Sequence, residues 1–183
     1  MATNGRVKGA TFELQCAKEL VSAAGEPYTR KDCYRTPLSG GHPYGDLGDL
    51  TVSPALRLIF PFVVECKHYK VWEPSVLFQP RKQELTWGRQ VVTAASNSKS
   101  GRIPLLVMRG NFGKTIAAAP ARAFKTWFPD ISLGGGLYFP MLIDPTKTPQ
   151  RWLGVPWASV LEAVAYLAEN QRGLDAMSAR IKL

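Results

Sequence analysis

Acidic side chains are scarce in this chain: 14 Asp and Glu stand against 23 Lys and Arg in 183 residues, giving a formal charge of +9 and a pI near 9.7. Such a surface attracts polyanions, nucleic acid first and acidic lipid headgroups second. Histidine is rarer still, and its two residues, His42 and His68, lack the spacing of a metal site. Cysteine is limited to Cys16, Cys33 and Cys66, an odd number at wide spacing. That pattern excludes a disulfide framework and a zinc-ligand set, and it fits a reducing compartment. No run of about eighteen uninterrupted apolar residues exists, which excludes a transmembrane helix. Met1 to Gly9 carry no apolar run ahead of their first charges, so no signal peptide is expected. The expected location is the cytoplasm of a bacterium or of a phage-infected host. A phosphate-binding loop is missing too: Gly113-Lys114-Thr115 ends like one, but the glycine needed five residues earlier is Met108.

What is present is enough apolar residue, 45%, to bury a real core. Residues 11–24 predict a helix, with Phe12, Cys16 and Leu20 recurring on one face. Residues 26–48 read as a loop rich in Pro and Gly. Two β-type runs follow, Asp49 to Val52 and Phe62 to Lys67, bracketing a Pro-containing connection. A helix over 81–96 and a buried strand over 103–108 complete an α, β, β, α, β order, that is, a mixed sheet with helices packed on it. Beyond that, a strand over 137–143 and a helix over 155–170 are expected. No repeat and no long linker is found. The expected organisation is one compact unit: a core over 1–112 and a C-terminal helical extension over 113–183 packed on it.

The chemistry concentrates in Gly48-Asp49-Leu50 and Val63-Val64-Glu65-Cys66-Lys67. Along a strand, Glu65 and Lys67 share one face while Val64 and Cys66 share the other. Charged residues in so apolar a run are costly unless they pair or bind something. A hairpin centred near Arg57 would set Asp49 opposite Glu65, bringing two carboxylates and an ammonium to one point. Two like charges there repel, and a divalent cation removes the penalty. Mg²⁺ or Mn²⁺ suits such oxygen ligands, with Asp49, Glu65 and the Cys66 backbone carbonyl as the ligand set. Asp46, also in a Gly-Asp-Leu sequence, is the alternative metal acid. An odd separation keeps it from sharing a face with Asp49 on one regular strand.

Gly48-Asp49 with Glu65-Cys66-Lys67 resembles the PD-(D/E)xK nuclease superfamily, with Gly-Asp in place of Pro-Asp. Phe12-Glu13 on the first helix, Gln90 on the helix after the E-x-K strand, the Ser39-Gly40-Gly41 loop and Pro104-Leu-Leu-Val extend the likeness. Over about residues 9–111 the chain most resembles the archaeal-type and phage Holliday-junction resolvases. The resemblance implies an α/β, restriction-endonuclease-like core and Mg²⁺- or Mn²⁺-dependent phosphodiester hydrolysis of branched DNA, commonly by a homodimer. It gives catalytic roles to Glu13, Asp49, Glu65, Lys67 and Gln90, and a DNA contact to Ser39. Charge and position add Arg35, Lys70, Trp72, Arg89, Arg109 and Lys114 as expected DNA contacts. Trp87 and Trp157, set in apolar helical patterns, are expected in the core. Two other functions remain open: a restriction-like or nicking duplex nuclease, and a non-catalytic basic nucleic-acid-binding protein.

Overall fold

A computed structural model describes residues 3–37, 48–98, 102–111, 113–128, 136–141 and 149–181. Ser39, Asp46 and the Gly40-Gly41 turn lie outside the described residues. The chain opens with α1 (Thr3–Ala24), then β1 (Cys33–Arg35), β2 (Leu50–Val52) and β3 (Phe62–Tyr69). Next come α2 (Lys82–Asn97), β4 (Ile103–Gly110), β5 (Ile116–Pro120) and α3 (Ala121–Trp127). β6 (Leu137–Met141), β7 (Gln150–Pro156) and α4 (Trp157–Ile181) close it.

β3 forms one edge of a five-stranded mixed sheet ordered β3-β4-β5-β7-β6. β3 and β4 run parallel, joined through α2, and every other pairing in this sheet is antiparallel. The fold is therefore an α/β, restriction-endonuclease-like core. Alternation along the strands makes two cores. Phe62, Val64 and Cys66 of β3 join Leu105 and Val107 of β4 against Phe12, Cys16 and Leu20 of α1 and Val160 and Val164 of α4. Leu106 and Met108 pack on the opposite side with Trp87 and Val91 of α2. Since Glu65 pairs with Leu106 and Lys67 with Met108, both charged residues leave the strand on the α2 side.

Several sequence expectations change here. The supposed loop over 26–48 contains β1, a strand of three residues, too brief for a visible alternation. β2 pairs with β1 in an antiparallel ribbon, and Gly48 bridges Val64 in parallel. There is thus no hairpin about Arg57. That stretch instead forms a short 3₁₀ turn, Leu56–Leu58, whose Leu56 is fully buried. The segment from 113 onward is more than a helical extension: β5, β7 and β6 continue the sheet, and α4 lies on α1. Arg172 of α4 ties the two helices by donating to the carbonyls of Ala24 and Glu26.

Trp72, expected in an exposed loop as a DNA contact, is buried with Leu77, Trp87, Met108 and Trp152. Its backbone also passes close to the end of β4, where a Cβ on Gly110 would lie 2.4 Å from the Trp72 carbonyl oxygen. Trp87 and Trp157 are core residues, as their helical spacing predicts. Replacing Trp72 by Ala should destabilise the protein by about 3–5 kcal/mol. Chemical denaturation checks this, and a loss of DNA affinity at unchanged stability would contradict the core assignment.

Candidate active site

The site forms where the free edge of β3 meets the start of β2. Gly48 has φ +64°, a conformation closed to proline and strained for other residues, and a Cβ there would stand 2.4 Å from the Val64 carbonyl oxygen. This explains why glycine occupies the place where the superfamily motif has proline. The next residue is thereby pressed onto β3. The Asp49 amide donates to the Val64 carbonyl at 2.7 Å, and the Cys66 amide donates to Asp49 Oδ2 at 2.7 Å. In an extended chain the N–H and C=O of one residue point to the same side. The Cys66 carbonyl therefore faces the same edge as the Asp49 carboxylate.

Asp49 is 8% exposed. Burial, then the neighbouring charge of Glu65 and then that of Glu13, push its carboxyl up to about 7, while the Cys66 amide and the Lys67 ammonium oppose the shift. Glu65 and Lys67 are partly buried and bonded to each other, with Lys67 Nζ donating to Glu65 Oε1 at 2.5 Å. Glu13 reaches the site from α1, on whose buried stripe Phe12, Cys16 and Ala17 lie beside it. Arg35 Nε donates to Glu13 Oε2 at 2.6 Å, so β1 supplies the cation that steadies this acid. Behind the edge, burial raises the Cys33 thiol to about 12, and a hydrogen bond with Cys16 together with burial raises the Cys66 thiol well above its usual value. A thiol held protonated in this way is a poor nucleophile and a poor metal ligand.

The expected residues thus divide. Asp49, Glu65, Lys67, Glu13 and Arg35 come together with the Cys66 backbone. Gln90 lies on an exposed turn of α2, next to buried Val91. Arg109 is directed to α1, donating to Gln15 Oε1 at 3.0 Å, with its guanidinium 5.4 Å from the centre of the Phe12 ring. Lys70, Arg89 and Lys114 are exposed, at the end of β3, on α2 and between β4 and β5. Arg35, read from sequence as a DNA contact, is bonded to Glu13 in the acid cluster. Its partnership with Glu13 carried no local signal, because the two residues stand 22 apart in the chain.

Among the described residues, no group of three or more His, Cys, Asp or Glu is close enough to hold a metal ion. A hard cation needs fewer, since Mg²⁺ binds through one or two carboxylates and keeps several waters. The donor set fits that demand. Asp49 spends Oδ2 on the Cys66 amide, and Oδ1 takes no hydrogen bond among the described residues. Glu65 stands near enough to raise the Asp49 pKa, which is the repulsion a cation relieves.

The raised Asp49 pKa makes a measurable demand on stability. The folded state holds this proton more tightly than the unfolded chain, whose Asp titrates near 3.8. Stability from this residue is therefore complete below pH 3.8, falls as pH rises toward 7, and is gone above it. Without divalent cations, Asp49→Asn should flatten the decline in Tm across that window. An Asp49→Asn profile parallel to the parent's would show that another group is responsible.

A family model described as "Phage putative PDDEXK endonuclease" matches residues 4–129. The match runs from α1 through α3 and takes in every acid and base of the site; β6, β7 and α4 lie beyond it. No curated protein and no solved structure matches the chain. With Asp49 and the E-x-K strand arranged around one sheet edge, and about two thirds of its length matched, the chain belongs to the phage PDDEXK endonuclease family, a family of nucleases.

Proposed function

We propose that the protein is a divalent-metal-dependent DNA endonuclease that cuts branched DNA of the four-way-junction type and works as a homodimer. The observation that carries this reading is the buried Asp49 carboxylate, held by the Cys66 amide next to Glu65 and Lys67. An acid so destabilised in its charged form is suited to a cationic ligand. Asp49, Glu65 and the Cys66 carbonyl would hold Mg²⁺ or Mn²⁺, which supplies charge neutralisation at the scissile phosphate and a more acidic attacking water.

The chain's own residues do the rest. Lys67, paired with Glu65 in the free protein, orients the attacking water and stabilises the negative charge that grows on the phosphate. Glu13, steadied by Arg35, accepts a hydrogen bond from water on the α1 side of the edge. Gln90 and the exposed Lys70, Arg89 and Lys114 contact the DNA backbone, which positions the substrate without reading its sequence. The Ser39 loop is a further DNA contact by its place in the resolvase order. Support for branched DNA is the joint order of the α1 glutamate, the Gly-Asp strand start, E-x-K and Gln90. Paired incision of a four-way junction requires two active sites, hence the homodimer.

The test is incubation with labelled four-way junction, linear duplex and single strand, with Mg²⁺ or with chelator. Junction-selective, cation-dependent incision is expected. Glu65→Gln and Lys67→Ala should each slow it by about 10²–10⁴-fold while junction binding is largely retained. Equal cutting of linear duplex would replace the junction reading with a restriction-like one. Binding without any cutting would leave a non-catalytic nucleic-acid-binding protein.

A further inference from the structure

A second feature lies outside the Asp49–Glu65 cluster. A cleft of about 820 Å³ opens between α3 and the β6–β7 ribbon, lined by Val92 of α2 and Pro104 of β4 together with Arg122, Lys125, Tyr138 and Arg151. The three cations and Tyr138 are exposed. No ion pair to a carboxylate occupies any of the three cations among the described residues. The Arg151 guanidinium lies over the Tyr138 ring, 4.2 Å from its centre, and Lys125 Nζ is 5.9 Å from the same ring. A flat guanidinium stacked on an aromatic ring makes a platform for a nucleobase, and cations on both sides suit its phosphates.

β6, which carries Tyr138, is four strand spacings from β3 in the sheet order, about 19 Å at ordinary strand separation. The Tyr138–Arg151 stack is therefore set apart from the Asp49–Glu65 edge, while Pro104, whose register partner is Val63 of β3, carries the other end of the cleft to the strand beside it; the β6–β7 wall lies beyond the part of the chain that the family model matches.

We propose that this cleft binds an unpaired strand of DNA, with a base on the Tyr138–Arg151 stack and phosphates on Arg122, Lys125 and Arg151. The occupant follows from charge and shape together: three cations without an acid among the lining residues favour a polyanion, and a single exposed ring suits a base freed from pairing better than a duplex. The cleft would hold a flanking single-stranded arm while the sheet edge engages the cleavage point. This rests on the reading of DNA as substrate, but not on the chemistry at Asp49.

The test uses the full chain carrying Glu65→Gln, without divalent metal, so that binding is measured apart from cleavage. Fluorescence anisotropy compares an oligothymidylate of about fifteen nucleotides, a duplex of equal length and dTMP. The oligothymidylate should bind best. Arg122→Ala, Lys125→Ala and Arg151→Ala combined should lower its affinity at least tenfold and reduce the salt slope by roughly two. Tyr138→Ala should cost roughly tenfold, and Tyr138→Phe should restore binding. A charge-matched triple of exposed residues outside the cleft lining, Lys18→Ala with Arg30→Ala and Lys31→Ala, should cost far less. The proposal is overturned if this control loses as much, if the cleft variants bind like the parent, or if duplex or dTMP binds as tightly as the oligonucleotide. Failure of cleavage by the parent protein would count against the nuclease reading alone, since no arm of this assay depends on it.

Discussion

One carboxylate withdrawn from water governs the geometry of the site. Asp49 costs free energy wherever it is both buried and ionised, and the fold places Glu65 and Glu13 close enough to deepen that cost. Two features keep it in place regardless. The Cys66 amide offers a directed hydrogen bond, and Gly48 takes a backbone conformation that lets the chain touch β3 at the Val64 carbonyl. A carboxylate in this state is strained toward neutralisation by a proton or by a cation. The same physics that penalises the charged carboxylate favours whatever neutralises it.

The supporting residues arrive from separate parts of the chain. Glu13 comes from the buried stripe of α1 that packs on β3, Arg35 from the small ribbon, and Glu65 with Lys67 from the edge strand itself. Because β3 pairs with β4 on one side only, its other side remains open to Asp49. Had a further regular strand filled that side, its ladder would have taken the Val64 carbonyl and the Cys66 amide. Catalytic potential in this fold is thus a consequence of an incomplete sheet edge.

At the opposite edge the C-terminal segment completes the sheet and leaves a different surface. β7 buries Trp152 and Leu153 in the two cores, so the ribbon it forms with β6 is firmly anchored. Exposed Tyr138 and Arg151 are then held by a rigid support. The five tryptophans follow the same division of labour. Four of them, Trp72, Trp87, Trp152 and Trp157, are buried, leaving a tyrosine to provide the exposed ring beside the basic cleft.

The amino-acid order alone made much of this legible. Basic charge, the E-x-K spacing and the Gly-Asp preceding it pointed to phosphodiester chemistry, because those residue types in an apolar strand have few other uses. Strong periodicity marked α1, α2, β3, β4 and α4, where burial on one face repeats over many residues. Tertiary structure decided what short-range pattern cannot encode. Asp49 meets Glu65 beside a parallel bridge and not in a hairpin, since β2 pairs with β1, a strand of only three residues. Trp72 is buried against Met108 and Trp152, residues far from it in sequence. Arg35 joins Glu13, and Arg151 stacks with Tyr138, for the same reason: side-chain partnership depends on distances in space that a linear order leaves undetermined until the sheet has formed.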